Sequence, residues 1–210
     1  MDLSILVSFI VVAGLLVMSP GPNGVLIART VPTSGRMAGF ANIAGFITAF
    51  YLHGALVVFG VSVILVKSAE LFFAVKMLGA AYLCWIGLKA LRDAWRGPVA
   101  AASVSPARRR RTLTIAYWEG LLTNALNPKV SMFYLAAFPQ FLPPGLATPA
   151  NTFTLVFVHS MLNLVWFSLM VLAFSRLTAA ARSGTFQRWI KGITGVVFLG
   201  FGARLATIEP

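Results

Sequence analysis

A five-residue stretch near the start of the chain, SPGPN at positions 19–23, constrains the fold more than any other feature. It lies inside residues 3–28, an apolar run without a charged side chain. A regular helix cannot continue through it, because proline lacks an amide hydrogen and forces the preceding residue out of the helical region. Within a membrane, broken backbone is tolerated only where protein or a polar cavity covers it. The stretch predicts a discontinuous membrane helix, which either lines a binding site or is a plain proline kink.

The composition is that of an integral membrane protein. Of 210 residues, 59% are hydrophobic and 10% charged, and the mean hydropathy is +0.86, whereas about a quarter of a soluble domain is charged. The net charge of +12 is weak evidence for nucleic-acid binding, since the basic residues fall between apolar runs, where cytoplasmic loops place them. One cysteine and five acidic residues also argue against a metal site.

Six apolar runs predict six transmembrane helices, since about 20 apolar residues cross a bilayer. They lie at about residues 3–28, 37–66, 71–91, 117–142, 151–175 and 190–206. The fourth is the most polar, and Pro128 and Pro139 interrupt it, so a second broken helix is expected. A basic linker, residues 92–114, separates the halves 1–91 and 115–210. Its four consecutive arginines either set the topology or contact lipid headgroups or a regulator.

The distribution of basic residues predicts the orientation. Segments 29–36, 92–111 and 176–191 carry two, six and four Lys or Arg residues, whereas the opposite side has Lys67, with Arg204 at its edge. The basic side is expected in the cytoplasm, so both termini should lie outside a multi-pass protein of the cell inner membrane.

The two halves carry traces of an internal repeat. Glycine, proline and histidine of the first half recur 106 residues later, in the pairs Gly14 and Gly120, Pro22 and Pro128, and His53 and His159. The histidines weigh most, because the chain has only two. Three spans per repeat would place the halves in opposite orientations, as in many secondary transporters. The predicted fold is therefore all-α, with two inverted three-helix repeats and discontinuous first and fourth helices.

A second chemical centre lies at positions 127–129, with the sequence NPK. A lysine near the middle of a membrane costs roughly 2.5–3.5 kcal/mol to insert and usually faces the protein interior or a wet cavity. Lys129 can bind the carboxylate of a ligand, cap the carbonyls of a broken helix, or pair with Glu119. Asn23 and Asn127 can each donate and accept, which suits an ammonium or a carboxylate.

Five motifs in the order SPGPN (19–23), GRMAG (35–39), KMLGAAYLCWIG (76–87), NPK (127–129) and FPQF (138–141) resemble the LysE/RhtB family of amino-acid exporters. The resemblance spans most of the chain and implies export apparently driven by protons, without enzymatic activity or a cofactor. It leaves open the substrate and the role of Glu119, which stands where a neutral or basic residue is expected. With Asn124 added, the candidate substrate-binding residues are Pro20, Gly21, Pro22, Asn23, Asn124, Asn127, Pro128 and Lys129.

Other classes of protein fit the sequence less well than an amino-acid exporter. A membrane enzyme would need a catalytic constellation, and a structural subunit would not need two proline breaks beside asparagines. A metal-ion or other small-cation exporter of related architecture remains the alternative. The expected partners are an amino-acid substrate, protons and membrane lipid, and a homodimer is left open.

A proton-coupled exporter needs a titrating group, and four residues are candidates. His53 and His159 lie roughly mid-span, and an unperturbed histidine titrates near pH 6.5. An inverted repeat would place one nearer each gate. Alternatively, each is a neutral histidine that donates to a carbonyl, and Glu119 or Lys129 carries the proton.

Overall fold

The computed structural model describes residues 2–61, 69–96, 110–142 and 145–172, with single positions between 189 and 203, and these parts are helical without strands. The helices are α1 (Leu3–Met18), α2 (Pro22–Ser34), α3 (Arg36–Leu56), α4 (Ala69–Trp95), α5 (Leu113–Ala125), α6 (Pro128–Met132) and α7 (Pro149–Leu172). Short π-helical turns, Val57–Val61 and Phe133–Ala137, continue α3 and α6, and a 3-10 turn, Phe138–Phe141, follows the second.

Two continuous helices in the described ranges are long and apolar enough to cross a membrane. They are α3 with its extension, Arg36–Gly60, and α7, Pro149–Leu172. α1 and α2 together make a third, broken span, bent by 52° between its halves. The described ranges are thus all helical and contain two or three candidate membrane spans. The six-helix count stays a prediction, because most of the sixth run lies outside the described residues.

Several helix ends differ from the predicted boundaries. α2 runs to Ser34, beyond the predicted span end at Ala28, because the next residue that breaks the helix is Gly35, with φ at 85°. α4 extends to Trp95 and α5 begins at Leu113, so helices occupy both ends of the predicted linker. Charged residues also fit a helix end, so composition did not give these helix boundaries; residues 97–109 of the predicted linker lie outside the described residues, and the division into two halves stays a prediction.

α3 and α5 approach each other closely, and glycine makes the approach possible. A Cβ on Gly45 would overlap the carbonyl of Tyr117, and a Cβ on Gly120 would overlap the main chain of Asn42. The Asn42 Nδ2 donates to the carbonyl oxygen of Ala116 at 2.7 Å. Small residues and a buried amide therefore hold these helices together, as is common where helices pack in lipid.

Candidate functional site

Both chain breaks are built in the same way. α1 ends at Met18, Ser19 and Gly21 are extended, and Pro22 is the first residue of α2. α5 ends at Ala125, and α6 restarts with Pro128 as its first residue. Proline suits the first helical position, because the amide it lacks would have no partner there. In each case the second residue of the new helix is polar, Asn23 in one and Lys129 in the other.

Lys129 crosses from the second break to the first. Its Nζ donates to the carbonyl oxygens of Leu16 at 2.7 Å and Ser19 at 3.0 Å, and to the Ser19 Oγ at 2.7 Å. An ammonium has three donors, so these oxygens match its full capacity. The last carbonyls of a helix carry partial negative charge, which favours a cation there. Of the arrangements open from the sequence, the structure shows the one in which Lys129 caps a broken helix.

Asn23 makes the reciprocal crossing, from the first break to the second. Its Nδ2 donates to the Oδ1 of Asn124 at 2.9 Å, and the Nδ2 of Asn124 donates to the carbonyl oxygen of Phe46 at 2.8 Å. All these side chains are buried, yet the Asn23 Oδ1 has no partner among the described residues. Asn127 caps α6, since its Oδ1 accepts from the amide of Lys129 at 3.1 Å. The two breaks therefore form one hydrogen-bonded centre.

The two histidines meet at one tyrosine. The ring centroids of His53 and His159 lie 5.3 Å and 5.7 Å from that of Tyr134, and both pairs are stacked. Tyr134 lies on the π-helical turn that follows α6 and contacts both rings. That one histidine lies nearer each gate stays a prediction. The hydroxyl of Tyr134, the Nε2 of His53 and both ring nitrogens of His159 are buried without a hydrogen-bond partner in the described part of the chain.

This histidine cluster is connected to the breaks. Phe50, which contacts His159, lies one helical turn after Phe46 in α3, and the carbonyl of Phe46 accepts from Asn124. Tyr134, which contacts both histidines, lies five residues after Lys129. Aromatic rings enclose His159, with Phe50 at a centroid distance of 4.2 Å. The candidate proton-coupling histidines therefore adjoin the candidate substrate-binding residues.

Glu119 lies apart from this centre. Its Oε1 accepts from the Nε of Arg111 at 2.7 Å, at the end of the basic linker, and both side chains are about 30% exposed. The amide of Arg111 also donates to the Ser34 Oγ at 2.8 Å. The sequence-based alternative in which Glu119 pairs with Lys129 is therefore wrong for this conformation, because the nearby linker offers the carboxylate an arginine.

The structure thus brings together the eight candidate substrate-binding residues, and it adds partners that the sequence did not single out. These are Leu16, Ser19, Phe46 and Tyr134. Ser19 lay within the first motif, and its position at the end of an apolar helix could have indicated that it borders the break. The Leu16 and Phe46 partners act through main-chain carbonyls, which no side-chain pattern reveals.

The chain is similar to a known protein family and to several bacterial membrane proteins. The family described as "LysE type translocator" matches residues 15–208. An uncharacterised membrane protein of Bacillus subtilis, YrhP, is 29% identical, covering 95% of this chain and 97% of the relative. The threonine efflux protein of Escherichia coli is 28% identical over 90% of each chain. The leucine efflux protein of Klebsiella pneumoniae is 30% identical, over 96% of this chain and 94% of that protein. No solved structure matches the chain significantly.

These matches confirm the resemblance predicted from the five motifs. They also confirm that the chain is a membrane protein of a transporter family, not an enzyme. Threonine and leucine differ in the polarity of their side chains but share the ammonium and carboxylate groups. Two of the relatives are therefore named for the efflux of amino acids with different side chains.

Proposed function

The chain belongs to the LysE type translocator family, and on that premise we propose that it exports an amino acid or related small zwitterion across the cytoplasmic membrane. The observation that carries the proposal is the pair of helix breaks joined by Lys129 and Asn23. Together they gather an ammonium, amides and main-chain carbonyls at one buried centre. These groups are complementary to the two charged ends of an amino acid.

The ligand would lie between the two breaks. Lys129 and the amides at the start of α2 would take its carboxylate, because a helix N-terminus favours an anion. Asn23, Asn127 and the carbonyls at the end of α1 would take its amine. The reciprocal crossings support the inverted repeat, since Asn23 and Lys129 are equivalent positions 106 residues apart. Alternating exposure of this centre by the two halves would make the protein a secondary active transporter.

Counterflow in liposomes tests this function. Purified protein would be reconstituted into vesicles loaded with one unlabelled amino acid, and uptake of the same labelled amino acid would be measured across a panel that includes threonine and leucine. We expect exchange of at least one amino acid above that of empty liposomes. Flux of divalent cations without amino-acid exchange would favour the metal-ion exporter instead.

The predicted topology can be tested by cysteine labelling. In a Cys84→Ser background, we expect Asp2→Cys to react with an impermeant maleimide on intact cells, because the N-terminus is predicted outside. Ala100→Cys should react only after permeabilisation, because the basic linker is predicted in the cytoplasm. The reverse pattern would mean that the orientation is inverted.

We propose that His53 and His159 carry the coupling proton, together with the Tyr134 hydroxyl between them. Their buried polar atoms, which have no partner among the described residues, and their ring contacts with Tyr134 support this role. We expect the double variant His53→Gln, His159→Gln to retain counterflow but to lose accumulation driven by an imposed pH gradient. Counterflow in the same vesicles controls for folding. If uphill accumulation and its pH profile match those of the unmodified protein, the histidines are structural and the proton moves elsewhere.

A further inference from the structure

We propose that three oxygens at the end of α1 form the ammonium site of this protein, and that Lys129 fills this site until the ammonium of the substrate displaces it. The oxygens are the Leu16 carbonyl, the Ser19 carbonyl and the Ser19 Oγ, and they are here called the α1 oxygen cup. Assigning the cup to the substrate rests on the proposed function. That the cup is a site for a primary ammonium does not depend on the proposed function.

The geometry of the cup is that of a ligand site. Three acceptors lie 2.7–3.0 Å from one nitrogen, which satisfies every proton of an ammonium. Two are main-chain carbonyls released by the helix break, and the third is the hydroxyl of the helix-capping serine. The partial negative charge of a helix C-terminus adds to the attraction for a cation. Among amino-acid side chains, only a primary ammonium can donate to all three oxygens from a single nitrogen.

Gly21 leaves the approach to the cup open. A Cβ at this position would come within 3.2 Å of the Lys129 Nζ, inside normal contact distance. Gly21 is extended rather than left-handed, with φ at −171°, so its backbone conformation does not require glycine. The space beside the ammonium gives a physical reason for glycine here.

Displacement explains why a zwitterion would be preferred over a simple amine or a simple acid. An incoming ammonium can replace the Lys129 Nζ in the cup, but the displaced lysine is then an unpaired cation in a buried region, which is costly. The carboxylate of an amino acid provides its new partner. A monoamine lacks that carboxylate, and a monocarboxylate has no group that can take the place of Lys129 in the cup.

Chemical rescue tests the cup without relying on transport. Lys129→Ala removes three carbons and the nitrogen, the same heavy atoms that n-propylammonium supplies. We expect the variant to unfold at a lower temperature than the unmodified protein, and n-propylammonium chloride to restore much of the loss. Tetramethylammonium chloride at equal concentration should not, because it has no N–H donor. The matched control is Lys89→Ala, which removes an exposed lysine whose Nζ lies 5.4 Å from the centroid of the Trp85 ring.

The outcomes separate this inference from the proposed function. Equal responses of Lys129→Ala to the two cations, or no loss of stability in this variant, would overturn the cup. If the variant folds only when a ligand is present, folded yield with each cation makes the same comparison. Rescue by n-propylammonium without amino-acid counterflow in the unmodified protein would keep the cup and refute the export function. Amino-acid counterflow by the unmodified protein without rescue of Lys129→Ala would keep the export function and refute the cup.

Discussion

Replacing Lys129 by methionine is expected to lower amino-acid export by at least about tenfold. Methionine is unbranched like lysine, but it removes the ammonium that would leave Leu16 and Ser19 and pair with the substrate carboxylate. A hydrogen bond to a charged group contributes about 1.5–3 kcal/mol, and about 1.4 kcal/mol is a factor of ten. The loss should appear in initial counterflow rates at subsaturating substrate.

The control for this experiment is Lys89→Met, on the exposed face of α4. It removes the same charge from a surface that has no part in the proposed site, so export should stay near that of the unmodified protein. Elution of both variants as folded protein in detergent would show that the difference is functional. Full export by Lys129→Met would remove this lysine from the substrate site and leave it a structural cap.

The local chemistry of the chain could be predicted, because it depends on neighbouring residues. Closely spaced proline and glycine at 20–22 and the Asn-Pro pair at 127–128 disfavour a continuous helix, so the breaks after Met18 and Ala125 followed from the sequence. A single proline is not sufficient, since Pro32 lies inside α2. Their joining into one centre did not follow, since it depends on how α1, α2, α5 and α6 approach in space. Lys129 shows the limit: its position predicted a buried role, but three possible partners were equally compatible with the sequence.

The histidine cluster shows a different limit. The matching positions of His53 and His159 in the two halves suggested equivalent but separated roles. Tyr134 joins them because the chain after α6 forms a π-helical turn, an irregularity without a sequence signature of its own. The close contact of α3 with α5 was also unpredicted, because glycine in an apolar run is compatible with either a packed or an exposed helix face.

The glycines of that contact give the second large expected effect, on folding. Gly120→Ala should destabilise the protein, because the new Cβ would overlap the main chain of Asn42, which cannot move as a side chain can. Overpacking a well-packed interior typically costs about 1–3 kcal/mol. Separating α3 from α5 would also stretch the hydrogen bond from Asn42 to the Ala116 carbonyl.

Gly14, which lies 106 residues before Gly120, supplies the matched control. A Cβ on Gly14 would meet nothing within 4 Å, so Gly14→Ala should gain helix propensity, by up to about 1 kcal/mol, without a clash. Thermal unfolding in detergent should therefore shift in opposite directions for the two variants. A Gly120→Ala protein as stable as the unmodified one would show that α3 and α5 do not pack this closely.

The same contact links folding to the proposed site. Asn124 lies one helical turn after Gly120, and its Nδ2 reaches the carbonyl of Phe46 on α3 while its Oδ1 accepts from Asn23. Moving α3 away from α5 would pull on the first of these bonds and disturb the second. Gly120→Ala should therefore reduce counterflow as well as stability, whereas Gly14→Ala should leave counterflow unchanged. If Gly120→Ala is destabilised but transports at the normal rate, the bond between Asn124 and Phe46 is not needed to hold the two breaks together.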